Sequence, residues 1–186
     1  MTHISVIGCG NMGGAFIKGL AESTEYTVTA CDVDTAVLEA IEPYCEETTT
    51  ALSVAAAPPP PVLALKPDLV GTILSDLELS ADQTVLSIAA GVSTNLLESK
   101  TAATVVRIMP NLAAETQNMA AAATKEGPTA AVRELLAAAG ACVEHDEGRM
   151  DIATDVTGSR PASPLYLPGS MKDAGPEAGL DPHDRG

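Results

Sequence analysis

At 186 residues and 46% hydrophobic content, the chain holds enough apolar material for one domain, or for one domain and part of a second. One Phe, three Tyr and no Trp make its core aliphatic, and ten basic against twenty-five acidic residues, a net charge of -15, exclude a nucleic-acid surface, which needs cations for phosphate and aromatics for bases. No apolar run approaches the ~20 residues of a membrane span, no signal-peptide pattern opens the chain, and Cys9, Cys31, Cys45 and Cys142 lack metal-binding or secreted spacing, so the reading is a soluble cytoplasmic protein with reduced thiols.

The first element is the run His3-Ile4-Ser5-Val6-Ile7, which feeds directly into Gly8-Cys9-Gly10-Asn11-Met12-Gly13 and then a helical pattern. Gly-x-Gly-x-x-Gly between a strand and a helix is a dinucleotide-binding turn. Gly8 makes the tight turn, Gly10 lets backbone approach a pyrophosphate, and Gly13 lets the helix pack closely on the sheet. The N–H groups that open the helix then face the phosphates. The second strand, Tyr26 to Cys31, ends in Asp32, nineteen residues beyond Gly13, where a carboxylate meets the adenosine ribose hydroxyls. A plainer role for Asp32 and Asp34 is to cap the helix from Thr35 to Ile41, whose Ala36, Val37, Ala40 and Ile41 share one face.

Strands and helices continue to alternate. A short third strand falls at Glu46 to Thr49, a fourth at Val62-Leu63-Ala64-Leu65, a helix at Leu69 to Leu77, and a fifth strand at Thr84 to Ile88. A short helix follows at Ser93 to Ser99, then strands at Thr104 to Ile108 and Met119 to Ala123, a helix at Thr129 to Ala139 ended by Gly140, and a closing strand at Ala141 to Glu144. Pro58 to Pro61 reads as a polyproline loop, which obliges the fourth strand to start after Pro61. The fold class is α/β: a Rossmann-type, doubly wound, mostly parallel sheet over residues 1–145, followed by a truncated helical or disordered segment over 146–186.

Ligands of such a sheet bind at the carboxyl ends of the strands. The loops there are Ala64-Leu65-Lys66-Pro67, then Ile88-Ala89-Ala90-Gly91-Val92, then Arg107-Ile108-Met109-Pro110-Asn111. With Gly8 to Gly13 ahead of them, these loops make four ordered motifs, over residues 3 to about 162, that resemble the pyrroline-5-carboxylate reductases. The coenzyme F420-dependent NADP reductases and β-hydroxyacid dehydrogenases share only the first motif. The resemblance implies that Ile7, Gly8, Cys9, Gly10, Asn11 and Met12 wrap the pyrophosphate, with Gly13 behind them. It implies that Ala64, Leu65, Lys66 and Pro67 line the nicotinamide ribose, and that Ala89, Ala90 and Gly91 lie against the ring. It further implies hydride transfer from NADH or NADPH to the C=N bond of a cyclic imine carboxylate, the last step of proline biosynthesis, in a homo-oligomer.

Asp32, Val33 and Asp34 stand where family members often carry a polar or basic residue suited to a 2′-phosphate, so NADH is the expected cofactor. Arg107, inside a strand, suits a structural ion pair. His3, His145 and His183 are placed as surface residues, so no catalytic side chain and no metal ligand is assigned. Arg160 replaces a glycine of the family's Ser-Gly-Ser-Gly-Pro-Ala turn. Four prolines in residues 163–186 break any long helix, and no Ser-Ser-Pro-Gly-Gly loop for the substrate carboxylate is present. The expectation is that residues 146–186 are a poorly ordered remnant of the family's helical dimer-forming and substrate domain. The competing function is then a non-catalytic nucleotide-binding remnant, with an F420-linked NADP reductase as a minor third.

Overall fold

Eight strands form one sheet in the order β3-β2-β1-β4-β5-β6-β7-β8, in a computed structural model that describes residues 1–56 and 60–154. The strands are β1 Thr2–Ile7, β2 Tyr26–Cys31, β3 Glu47–Thr49, β4 Pro61–Leu63, β5 Thr84–Ser87, β6 Thr104–Met109, β7 Met119–Thr124 and β8 Gly140–His145. The helices are α1 Asn11–Ala21, α2 Thr35–Ile41, α3 Leu52–Ala55, α4 Pro67–Asp76, α5 Thr94–Glu98, α6 Ala130–Ala139 and α7 Met150–Thr154. The expectations for Pro58 and Pro59, for the Arg160 turn and for the proline-rich residues 163–186 lie outside the described residues.

Helical crossovers keep β1 to β6 parallel. Between β6 and β7 only residues 110–118 intervene, carrying a 3-10 turn at Leu112–Thr116, and β7 runs antiparallel. A parallel return needs a dozen or more residues, so a shorter link reverses the strand. Helix α6 then makes a full crossover and lays β8 parallel to β7.

Side-chain alternation along the central strands builds a layer on each face. Val6, Val62, Leu86 and Val106 point to the side covered by Phe16, Ile17 and Leu20 of α1, Leu38 and Ile41 of α2 and Leu135 of α6. Their neighbours Ile7, Leu63, Val85 and Val105 point to the side covered by Val70 and Leu74 of α4 and Leu97 of α5. Both faces are thus buried, which is why these strands read as nearly continuous apolar runs.

The expectation for the fourth strand is corrected. Strand β4 begins at Pro61 itself, not after it, and ends at Leu63, leaving Ala64 and Leu65 in the loop beyond. A proline at the first residue of a strand removes no interior ladder bond, so even this central strand tolerates it. In α2, Ala36, Val37, Ala40 and Ile41 do share one face, which lines a groove; of these Ile41 is buried, with Leu38 beside it, and Ala36 and Ala40 are exposed.

Candidate functional site

Three loops meet at the carboxyl edge because β1, β4 and β5 are neighbours in the sheet, and the strand order departs in both directions from β1. That switch point is where an open α/β sheet leaves a crevice.

The first loop follows β1. Gly8 has φ +92°, and its N–H donates to the Cys31 carbonyl at 2.8 Å. A Cβ on Gly8 would stand 2.5 Å from the Ala64 carbonyl oxygen, so both conformation and space demand glycine there. A Cβ on Gly13 would stand 1.9 Å from the Gly8 oxygen, since α1 starts directly against the turn. Gly10 differs: a Cβ there would meet nothing within 4 Å, and it opens onto the N-terminus of α1, where it caps without any side-chain hydrogen bond. Asn11 is exposed, Met12 half-buried and Cys9 buried. Burial, reinforced by the charge of Asp32, pushes the Cys9 thiol up to about 12.

Asp32 closes this loop from below. Its Oδ2 accepts from the Cys9 N–H at 2.7 Å and its Oδ1 from the Asp34 N–H at 3.0 Å. Capping of α2 falls to Asp34 alone, whose Oδ1 accepts from Ala36 N–H at 2.9 Å. Asp32 therefore does not cap the helix; it locks the glycine turn to the end of β2. A carboxylate has about four acceptor positions, so two remain for a sugar hydroxyl.

The second loop, Ala64 to Pro67, is pinned where the Ala64 N–H donates to the Ile7 carbonyl at 2.8 Å. Lys66 is exposed and precedes α4, with Pro67 at its first position. In the third loop, the Ile88 N–H donates to the Leu63 carbonyl at 3.0 Å, Ala89 is buried, and Ala90 and Gly91 are exposed, Gly91 with φ +71°. The sheet thus sets the residues singled out in the sequence side by side along one edge. They do not share one cavity. A groove of ≈ 540 Å³ between α1 and α2 takes in Cys9, Gly10 and Asn11 and runs toward Lys18 and Glu115, away from the loops after β4 and β5.

Sequence reading missed two features. Gly19 on α1 brings the helix so close to the Leu112–Thr116 turn that a Cβ would lie 1.9 Å from the Ala114 oxygen. The partner of Arg107 was also unassigned. Its side chain is 4% exposed and pairs with Glu147, in the 3-10 turn Glu147–Arg149, and with Asp151 at 3.7 Å. A buried arginine requires such a partner, and the acids clustered at Glu144, Asp146, Glu147 and Asp151 were the legible signal.

Fold and crevice together define a dinucleotide-binding oxidoreductase domain. A family model described as "NADP oxidoreductase coenzyme F420-dependent" matches residues 3–91, which hold β1 to β5. Relatives match much further: the pyrroline-5-carboxylate reductase of Methanosarcina acetivorans is 31% identical over 96% of this chain and 71% of its own length. The solved 1-pyrroline-5-carboxylate reductase of Streptococcus pyogenes superposes with a TM-score of 0.82 at 25% identity, covering 97% of this chain and 72% of that one. A Plasmodium falciparum pyrroline carboxylate reductase, solved with NADP bound, gives a TM-score of 0.84 at 21% identity, over 97% of this chain and 71% of that one. The chain belongs to the pyrroline-5-carboxylate reductase family, a family of NAD(P)H-dependent oxidoreductases. Similarity that runs nearly the whole chain favours the reductase reading over both a bare nucleotide-binding remnant and an F420-linked enzyme.

Proposed function

We propose that this protein binds a nicotinamide dinucleotide across the carboxyl edge of β1, β2, β4 and β5 and, with it, reduces the C=N bond of 1-pyrroline-5-carboxylate to give proline. The observation that carries the nucleotide half is the contrast among its three glycines. Packing within the protein forces Gly8 and Gly13, but nothing within the described residues approaches the Cβ position of Gly10. Open space beside helix N–H groups that lack intrahelical partners suits a pyrophosphate.

The bound cofactor supplies the hydride. The chain's residues bind and orient: Ile7 to Met12 around the pyrophosphate, Ala64 to Pro67 beside the nicotinamide ribose, and Ala89 to Gly91 against the ring. Lys66 adds a positive charge to an edge otherwise bordered by Asp32 and Asp34. Those two acids favour NADH, because a 2′-phosphate beside Asp32 places like charges together in a partly desolvated crevice. The free thiols Cys9, Cys31, Cys45 and Cys142 suit a reducing, cytoplasmic compartment.

The test is calorimetric titration of NADH into the wild-type chain and Gly10→Val, followed by imine-dependent NADH oxidation. Saturable binding that the substitution abolishes, together with oxidation that requires the imine, is the expected result. Unchanged affinity in Gly10→Val would move the nucleotide elsewhere, and binding without imine-dependent oxidation would confine the function to nucleotide binding.

A further inference from the structure

Glu147 lies just after β8, outside all four sequence motifs, yet its carboxylate engages two elements of the site's edge at once. Oε1 accepts from the Thr94 N–H at 3.0 Å and from the Arg107 guanidinium, and Oε2 accepts from the Thr94 hydroxyl at 2.6 Å. Thr94 is the first residue of α5, directly after the loop that holds Ala89, Ala90 and Gly91.

That loop is held unequally at its two ends. At its start, the ladder bond from Ile88 to Leu63 fixes it to the sheet. Beyond Ser87, whose hydroxyl accepts from the Ala89 N–H at 3.4 Å, Ala90 and Gly91 are exposed and Gly91 occupies the left-handed region, while Val92 packs into the core and sets only the depth. At its far end, Ser93 caps α5 by accepting from Leu96, a bond internal to the helix. Among the described contacts, the link from this end of the loop to the rest of the sheet by hydrogen bonds runs through Thr94 and Glu147 to Arg107.

Arg107 gives the link a fixed base. It is buried in β6, its Nη2 makes no hydrogen bond, and Asp151 stands 3.7 Å away and largely exposed, so Glu147 is its principal counter-charge. A buried guanidinium holds its partner firmly, because separation would leave the cation unpaired.

We infer that Glu147 is a positioning residue of the dinucleotide site: by tying Thr94 to Arg107, it holds the Ala89–Gly91 loop in the conformation that receives the nicotinamide end of the cofactor. The inference rests on the dinucleotide reading above. It makes nicotinamide placement depend on a residue of the segment that follows β8.

The test compares NADH with ADP, which presents the adenosine half alone, as titrants of the full chain. Thr94→Val removes the hydroxyl bond to Oε2 while keeping the backbone N–H bond to Oε1 and the pairing of Glu147 with Arg107; it should weaken NADH binding about fivefold and leave ADP binding unchanged, with Thr94→Ser restoring NADH to near wild type. Glu147→Gln should weaken NADH about tenfold, again without moving ADP. Should Glu147→Gln fail to fold, the Thr94 pair decides alone. Equal weakening of NADH and ADP, or no change in either, would reduce Glu147 to a structural ion pair and overturn the inference. A wild-type chain that binds neither titrant would instead overturn the dinucleotide reading itself.

Discussion

The backbone N–H of Cys9 and the carboxylate of Asp32 are joined across 2.7 Å, so the glycine turn after β1 and the end of β2 form a single hydrogen-bonded unit. The residue expected to read the ribose is therefore also the residue that sets the shape of the pyrophosphate turn. Asp32→Asn keeps an acceptor for Cys9 while removing the charge. It should narrow the preference for NADH over NADPH at little cost in stability. Asp32→Ala should also lower stability by about 1–2 kcal/mol, since the buried-side donors lose their acceptor. Dissociation constants for both cofactors, measured beside thermal melts, check this. A wild-type chain that binds NADPH more tightly than NADH would reverse the assignment.

Gly10 and Gly13 should separate binding from folding. At Gly10→Ala the added methyl enters open space, so the melting temperature should hold to within a few degrees while nucleotide affinity falls. At Gly13→Ala the methyl would stand 1.9 Å from the Gly8 oxygen, so α1 must lift off the sheet. Overpacking of this kind costs about 1–3 kcal/mol, or more against rigid backbone. Equal melting temperatures for the two variants would contradict the close approach of α1 to the turn.

The thiols should be sluggish. Burial raises Cys9 to about 12, and Cys45 and Cys142 to about 11, and it raises Cys31 as well. Since the thiolate is the nucleophile, a thiol near 12 is ionised in only about one molecule in ten thousand at pH 8. Titration with a thiol reagent at that pH should show slow reaction in the native protein and fast reaction of all four cysteines in denaturant. A fast native-state equivalent at Cys9 would mean that the turn opens readily.

Glu147 sets an acid limit. Burial pushes its carboxyl upward, but the hydrogen bonds from Thr94 and the charge of Arg107 outweigh this and leave it below its ordinary value of 4.5. A carboxyl lowered in the folded state contributes stability above its unfolded value, and that contribution is lost as pH falls through the folded one. Stability should thus decline below about pH 4.5, less steeply in Glu147→Gln, with Arg107 and the nearby Asp151 as the other charged groups facing the pair. Glu147→Ala should cost about 3 kcal/mol at neutral pH, the lower end for a buried pair that loses one member, because Glu147 is a third exposed. Denaturant melts from pH 3 to 7 measure both effects.

Sequence reading placed β2 and α2 residue for residue, because strong local signals bound them: a β-branched run ends at Asp32, and Asp34 supplies a side-chain cap. The short elements Leu52–Ala55, Leu112–Thr116 and Met150–Thr154 were not legible. Pieces of four or five residues have little helical stability of their own and take their ends from tertiary contacts. The displacement of β4 has the same origin: Ala64 could have continued the strand by composition and its N–H still makes a ladder bond to Ile7, but pairing with β1 ends at Leu63. At the candidate site, the glycine turn and the acid after β2 were legible from their spacing. The hold of Asp32 on the Cys9 N–H and the reach of Glu147 to Thr94 were not, since both depend on which groups meet across more than twenty residues of chain.

The reversal of β7 decides which way the chain leaves the sheet. Because β8 follows β7, the chain leaves His145 heading toward the amino ends of the parallel strands, level with Arg107 in the register. The turn at Glu147–Arg149 sends it back, and Met150 becomes fully buried against Met109 and Ala122. Among the described residues strand pairing stops at His145, but the apolar cover of β6 and β7 does not stop there. A chain cut after residue 145 would uncover Met109 and strip Arg107 of both its acids, whereas a cut after residue 154 would keep them. The shorter fragment should melt well below the longer one and aggregate through the bared strand pair, so residues 146–154 belong with the sheet they follow.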